Sequence, residues 1–200
     1  RNGCEIMIVE TADVSNLPEG WVWPEPVMMK DAEGNNDTYG VIYRPPGFSP
    51  EKQYPVIDYA WSMRGTATVP VGSFHLDPVL GYTYCLSTAL ATLGFIVVSI
   101  EGRGGPYRGK RFQDYYVNDI AGEHVLDDHV AGIKQLAQRY PSMDLSRVGI
   151  VAPEQSPFAV FGALHHSDFF KVAVQHCFND PRYNVTGYGE VHYGLPQKTD

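Results

Sequence analysis

The sequence contains little cysteine and no surplus of basic residues. Its three cysteines are odd in number and widely spaced, which excludes both a disulfide framework and a zinc site of clustered cysteines. Only 15 basic residues face 23 acidic ones, and the resulting net charge of −8 at pH 7 argues against nucleic acid as a partner. The longest apolar run, Gly94–Ile100, has the length of a strand, so no membrane span is predicted.

Apolar strands alternate with helices from residue 38 onward, in a composition that is 44% hydrophobic and typical of a globular domain. Strands that are apolar on both faces need helices on both sides, which predicts an α/β fold with a mostly parallel sheet. The predicted strands are 38–44, 54–61, 94–100, 147–152 and 171–177, and the predicted helices are 78–93, 118–140 and 157–166.

Residues 1–30 differ from the rest of the chain. A short alternating strand at 4–10 is followed by the Pro-, Gly- and Trp-rich connector NLPEGWVWPEP, which cannot be helical. We interpret residues 1–30 as the tail of a preceding domain with a linker. Residues 31–200 are then the N-terminal portion of the α/β domain.

The stretch RVGIVAPEQSPFAVF (147–161) predicts a strand that turns sharply into a helix. Many hydrolases carry their nucleophile on such a turn, in the pattern G-x-S-x-G. Here the five positions are 152–156; the outer two, Ala152 and Ser156, are small, and the centre is Glu154. Because Ser156 precedes Pro157, we interpret it as a helix N-cap rather than as a nucleophile.

Residues 104–111 imitate a phosphate-binding loop, with the spacing G-x-x-x-x-G-K directly after a strand. Arg111 stands where a Ser or Thr should bind magnesium, and Pro106 removes one backbone N–H of the cradle. We also expect the next helix to start too late to direct its N-terminus at a phosphate. The sequence therefore predicts no nucleotide at this loop.

A second imitation is a metal site on the long predicted helix. His124 and Asp128 are spaced i, i+4, with Asp127 and His129 beside them. Because a zinc site needs three or four converging ligands, we interpret these residues as a solvated polar face. The sequence thus predicts no metal and no cofactor.

Several motifs, in order along the chain, resemble one family. The stretch EGRGGPYRGKRF (101–112) is similar to the family's D-G-R-G-x-x-x-R-G-K-x-F loop, and DLSRVGI leads into the strand before the turn. Residues 169–196 end in a similar Y-x-E-x-x-x-G-L-P pattern. From about Pro24 to Leu195 the chain resembles the catalytic domain of the prolyl oligopeptidase family of serine peptidases, with the dipeptidyl peptidase IV-like branch closest. The resemblance implies an α/β-hydrolase fold entered from a β-propeller.

The resemblance also assigns roles by position. The nucleophilic serine falls on Glu154, and the backbone N–H of Gln155 is one expected oxyanion donor. Trp61 falls at the second donor position, where the family has a tyrosine, and Tyr188 matches an aromatic residue lining the substrate pocket. The family's catalytic acid and histidine lie beyond the Gly-Leu-Pro pattern, further along than Asp200.

Three interpretations remain open from the sequence. The first is a peptidase-family hydrolase domain made inactive by Glu154. The second is an active hydrolase that uses a non-standard residue such as Glu154 together with residues beyond this chain, and the third is a non-catalytic binding or dimerisation module. We expect a peptide-like ligand, with neither nucleic acid nor membrane as a partner.

The strand at 171–177 would form an unprotected apolar edge in this fold. We therefore expect either a homo-oligomer through the hydrolase domain or stability only with a further portion of the sheet. Localisation stays open; family habit suggests the periplasm or secretion.

Overall fold

The computed structural model describes residues 6–11, 13–61, 69, 80–116, 123–153 and 158–176. Six strands form one mixed sheet, in the order β1-β2-β4-β3-β5-β6. The strands are β1 (Glu25–Lys30), β2 (Asp37–Tyr43), β3 (Tyr54–Tyr59), β4 (Ile96–Glu101), β5 (Met143–Ala152) and β6 (Phe170–Gln175). The helices are α1 (Leu80–Thr92), α2 (Lys110–Gln113), α3 (Glu123–Arg139) and α4 (Phe158–His165), and a 3-10 turn spans Asp114–Tyr116.

The sheet is parallel from β4 through β3 and β5 to β6, and antiparallel where β1 and β2 join it. Helices α3 and α4 cover one face, and α1 packs on the other. The core therefore has two apolar layers, one on each side of β3, β4 and β5. This arrangement confirms the predicted α/β-hydrolase fold and explains why the central strands read as continuous apolar runs.

Strand β1 lies before the domain boundary that the sequence suggested at residue 31. It pairs with β2 along its whole length, from Glu25 opposite Ile42 to Lys30 opposite Asp37, so it belongs to this sheet. The origin of the residues before β1 stays a prediction. Residues 6–10 are irregular, so the described part of the predicted strand at 4–10 is not formed.

Strand β6 is the last strand of the described sheet, and its outer positions are exposed. Val172 and Val174 expose 62% and 51% of their surface. The predicted self-association through this edge stays a prediction. Over the described ranges, no helix combines the length and apolarity needed to span a bilayer.

Candidate functional site

The carboxyl ends of the parallel strands bring the candidate residues to one edge of the sheet. Trp61 follows β3, Glu101 ends β4 and Pro153 follows β5. The Ala60 N–H donates to the Val151 carbonyl at 2.9 Å, so the residues after β3 run beside those after β5. In open α/β sheets ligands bind at this edge, which makes it the candidate site.

The residues at the end of β5 and at the start of α4 are well packed. Strand β5 ends at Ala152, which is fully buried, and its carbonyl accepts hydrogen bonds from the His176 N–H and the Gln175 Nε2 at 3.0 and 3.1 Å. Helix α4 begins five residues after Pro153, at the buried Phe158. The small residue expected at position 152 is thus required by the packing around the end of β5.

Gly162 lets α4 lie close to the sheet after the turn. A Cβ at this position would come within 3.2 to 3.3 Å of Ile150 and Phe170 side-chain atoms. The helix that follows the turn is therefore held tightly against β5 and β6. Glu154, Gln155 and Tyr188 lie outside the described residues, and their roles stay predictions.

Trp61 is the predicted site residue that the structure describes. Its side chain is only 3% exposed and packs with the apolar layer on the α1 side of the sheet. The indole Nε1 is buried and has no hydrogen-bond acceptor among the residues that the structure describes. An indole nitrogen can only donate a hydrogen bond, so any acceptor for this N–H lies outside the described residues.

Glu101 was not singled out from the sequence, although it opens the motif at 101–112. One carboxylate oxygen is buried without a partner in the described part of the chain. Burial raises the pKa of this carboxyl to about 7, and the charge of Arg108 opposes that rise. An acidic residue that ends a buried strand was the available signal, because the carboxyl edge is where such residues become functional.

Arg103 and Asp128 form a buried ion pair that fixes the loop after β4. The Asp128 carboxylate accepts from the Arg103 backbone N–H at 2.7 Å, from the Arg103 Nε at 3.0 Å and from the Ala32 N–H at 2.9 Å. Glu33 accepts from the same guanidinium, and the Tyr115 ring lies 4.9 Å from it. Burial opposes the charge, but Asp128 and Glu33 raise the pKa of Arg103, so the cation persists.

A second buried pair lies beside the start of α4. The His129 Nδ1 lies 2.9 Å from both carboxylate oxygens of Asp58, and both side chains are fully buried. Burial works against the imidazolium, but the charge and hydrogen bond of Asp58 outweigh it and raise the pKa of His129. The prediction that positions 127–129 form a solvated face is therefore wrong for Asp128 and His129, because each finds a partner on another element.

The two imitation motifs have structural roles. Within the described ranges, no group of three or more His, Cys, Asp or Glu side chains could share a metal ion. Arg108 is held between the rings of Tyr39 and Phe112, 5.3 and 4.6 Å from their centres. The four-residue α2 begins at Lys110, earlier than expected, because Gly109 supplies a positive φ of 87° that turns the chain into it.

A mostly parallel sheet with helices on both faces, in which α4 follows the end of β5 after a short connection, defines the class as an α/β hydrolase. Within that class, the chain belongs to the prolyl oligopeptidase family, whose family model matches residues 84–197.

Known relatives agree with this assignment. Human dipeptidyl peptidase 8 is 31% identical over 169 residues, which cover 81% of this chain. A probable dipeptidyl-aminopeptidase B of Ajellomyces capsulatus is 35% identical over 107 residues, 54% of this chain and 11% of that protein. The crystal structure of a dipeptidyl aminopeptidase IV candidate from Bacteroides ovatus superposes with a TM-score of 0.70 at 25% identity, covering 87% of this chain and 24% of that one. The chain spans only 18% of the length of dipeptidyl peptidase 8.

Proposed function

We propose that this chain is a peptidase-family hydrolase domain that binds peptide-like ligands at the carboxyl edge without carrying out the serine-peptidase reaction. The observation that carries the proposal is Glu154, which stands in the sequence between β5 and α4 at the position where the family has its nucleophilic serine. Without that serine no acyl-enzyme forms.

Electrostatics also argue against a serine-peptidase reaction at this position. Acyl transfer develops an oxyanion next to the nucleophile, and donors normally stabilise that charge. A carboxylate at position 154 would repel it. Loss of the nucleophile of such a triad costs about 10⁶-fold in turnover in a well-studied peptidase.

The binding part of the proposal rests on Trp61. Its buried N–H lacks an acceptor among the described residues, and Trp61 follows Ala60, whose backbone N–H bonds to Val151 near the end of β5. A peptide carbonyl is the acceptor that fits an indole donor at this edge. Tyr188 would add an aromatic wall for the residue before the peptide bond, by its family position.

The first experiment is an activity assay of the natural protein on Ala-Pro-p-nitroanilide, with Glu154→Ser and Glu154→Gln alongside. We expect no release of nitroaniline by the natural protein. Activity gained by Glu154→Ser would show that only the nucleophile was lost. Cleavage by the natural protein that Glu154→Gln abolishes would overturn the proposal and give the glutamate a chemical role.

The second experiment measures binding of the dipeptide Ala-Pro by calorimetry, with Trp61→Phe as the variant. This change removes the N–H and keeps most of the ring. One lost hydrogen bond should weaken binding by roughly 2- to 10-fold. No measurable binding by the natural protein, or equal binding by both proteins, would contradict a ligand role for Trp61.

A further inference from the structure

Two histidine–aspartate pairs join helix α3 to its surroundings, and they differ in burial. The pair of His129 and Asp58 is fully enclosed, with 2.9 Å between the Nδ1 and each carboxylate oxygen. The pair of His166 and Asp127 lies at the surface, with 3.2 Å between Nε2 and Oδ1 and side chains 22% and 49% exposed. Water can solvate the side chains of the second pair if they separate, whereas it does not reach those of the first.

Among the described residues, the charged groups that face His129 come from β3 and from α3 itself. Strand β3 supplies the Asp58 carboxylate on the Nδ1 side of the ring, whereas the buried Nε2 has no hydrogen-bond partner in the described part of the chain. Helix α3 supplies Asp128, which is paired with the Arg103 guanidinium. The charge of Asp58 is therefore balanced when His129 is the imidazolium, protonated on both ring nitrogens.

The remaining neighbour connects the pair to the strand–helix turn. The ring of Phe158 lies 6.1 Å from the His129 ring, tilted by 34°. Phe158 is the first residue of α4, directly after the turn. Any displacement of the imidazole therefore reaches the base of the helix that follows position 154.

We propose that Asp58 and His129 form a proton-dependent latch at the start of α4, closed when His129 is protonated and open when it is neutral. In the open state the buried carboxylate has lost its cationic partner, a cost that burial makes severe. Helix α3 then loosens on β3, and Phe158 and the start of α4 are released. His129 is a positioning residue, since it is enclosed in the core and acts through Phe158.

The direction of the response follows from the charges. Asp58 and Asp128 hold the pKa of His129 above its usual value, despite burial. The latch is therefore closed at lower pH and opens as the pH rises through the pKa of His129. This inference concerns the start of α4 and does not depend on the proposed function.

Hydrogen exchange of the intact protein tests the latch. Protection of residues 158–165 is measured between about pH 6 and about pH 9, after correction for intrinsic exchange. We expect protection to fall at least about tenfold in the natural protein, because a buried carboxylate that loses its cationic partner is strongly destabilised. In His129→Gln this pH dependence should vanish, whereas the surface control His166→Gln should keep it.

Two results would overturn the proposal: an unchanged pH dependence in His129→Gln, or an equal loss of it in His166→Gln. If His129→Gln does not fold, the double variant Asp58→Asn/His129→Gln keeps a neutral hydrogen-bonding pair and should show flat protection. Histidine-labelled NMR on the natural protein gives an independent measure. His129 must titrate above about pH 6.5, with the same midpoint as the amide shifts at the start of α4; separate midpoints would refute the latch.

Discussion

Replacement of Asp128 should destabilise the domain more than any surface charge change, because its carboxylate serves two segments at once. It accepts from the backbone N–H and the Nε of Arg103 and from the Ala32 N–H, at 2.7 to 3.0 Å. In Asp128→Ala these donors lose their acceptor, and the Arg103 side chain, only 3% exposed, keeps chiefly its contact with Glu33.

The magnitude follows from what remains in the core. Removing one partner of a buried ion pair costs about 3–5 kcal/mol, and each stranded buried donor adds about 1–3 kcal/mol. Glu33 still offsets part of the guanidinium charge, so we take the low end of each cost. With two stranded backbone N–H groups, we expect a total of about 5 kcal/mol for Asp128→Ala. Asp128→Asn keeps the volume and one acceptor oxygen, and should cost about 2–3 kcal/mol.

Urea denaturation measures these changes as shifts of the midpoint at constant slope. The control is Asp114→Ala, which removes an exposed pair with Lys110 whose side chains are 42% and 86% exposed. Such pairs contribute about 0–0.5 kcal/mol. A loss of stability below about 1 kcal/mol for Asp128→Ala, or one no larger than that of Asp114→Ala, would refute our inference that the Arg103–Asp128 pair fixes the loop after β4.

Two further predictions concern buried positions of the sheet. Because burial raises the pKa of Glu101 to about 7 from 4.5, the folded state should lose stability as the pH rises between these values. In thermal denaturation, Glu101→Gln should reduce this dependence of stability on pH. A dependence equal to that of the natural protein would contradict the prediction. A Cβ on Gly40 would lie 2.7 Å from the Ser99 carbonyl oxygen of the paired strand, so Gly40→Ala should cost about 1–3 kcal/mol. Gly149→Ala is the control, because its Cβ would meet its nearest neighbour only at 3.4 Å; equal costs for the two variants would count against the steric argument.

The central strands and the long helices could be predicted because their periodicity is local. Strand β4 and helix α3 carry apolar patterns that only one type of element satisfies. Strand β1 escaped prediction because its first residues, Glu25 and Pro26, continue a Pro- and Trp-rich connector. Its place in the sheet comes from pairing with β2, which no local pattern encodes.

The candidate site was predicted only in part, for a related reason. Trp61 could be placed at the end of a predicted strand, and its role at the oxyanion-donor position stays a prediction. The burial of His129 depends on Asp58, 71 positions away in sequence, so a polar stretch of helix was taken for a solvated face. The raised pKa of Glu101 comes from its enclosure at the strand end, which is likewise a property of the assembled sheet.

The contacts of helix α3 imply an order of folding during synthesis. The Ala32 N–H and the carboxylate that accepts it are separated by 96 residues, and the Lys30 N–H bonds to Gln135 across 105. A ribosome that adds about 5–20 residues per second completes this interval in roughly 5–20 s. Until α3 has been synthesised, the β1–β2 hairpin lacks these two hydrogen bonds, and its acidic turn stays in water. The N-terminal edge of this sheet is therefore formed first and anchored late.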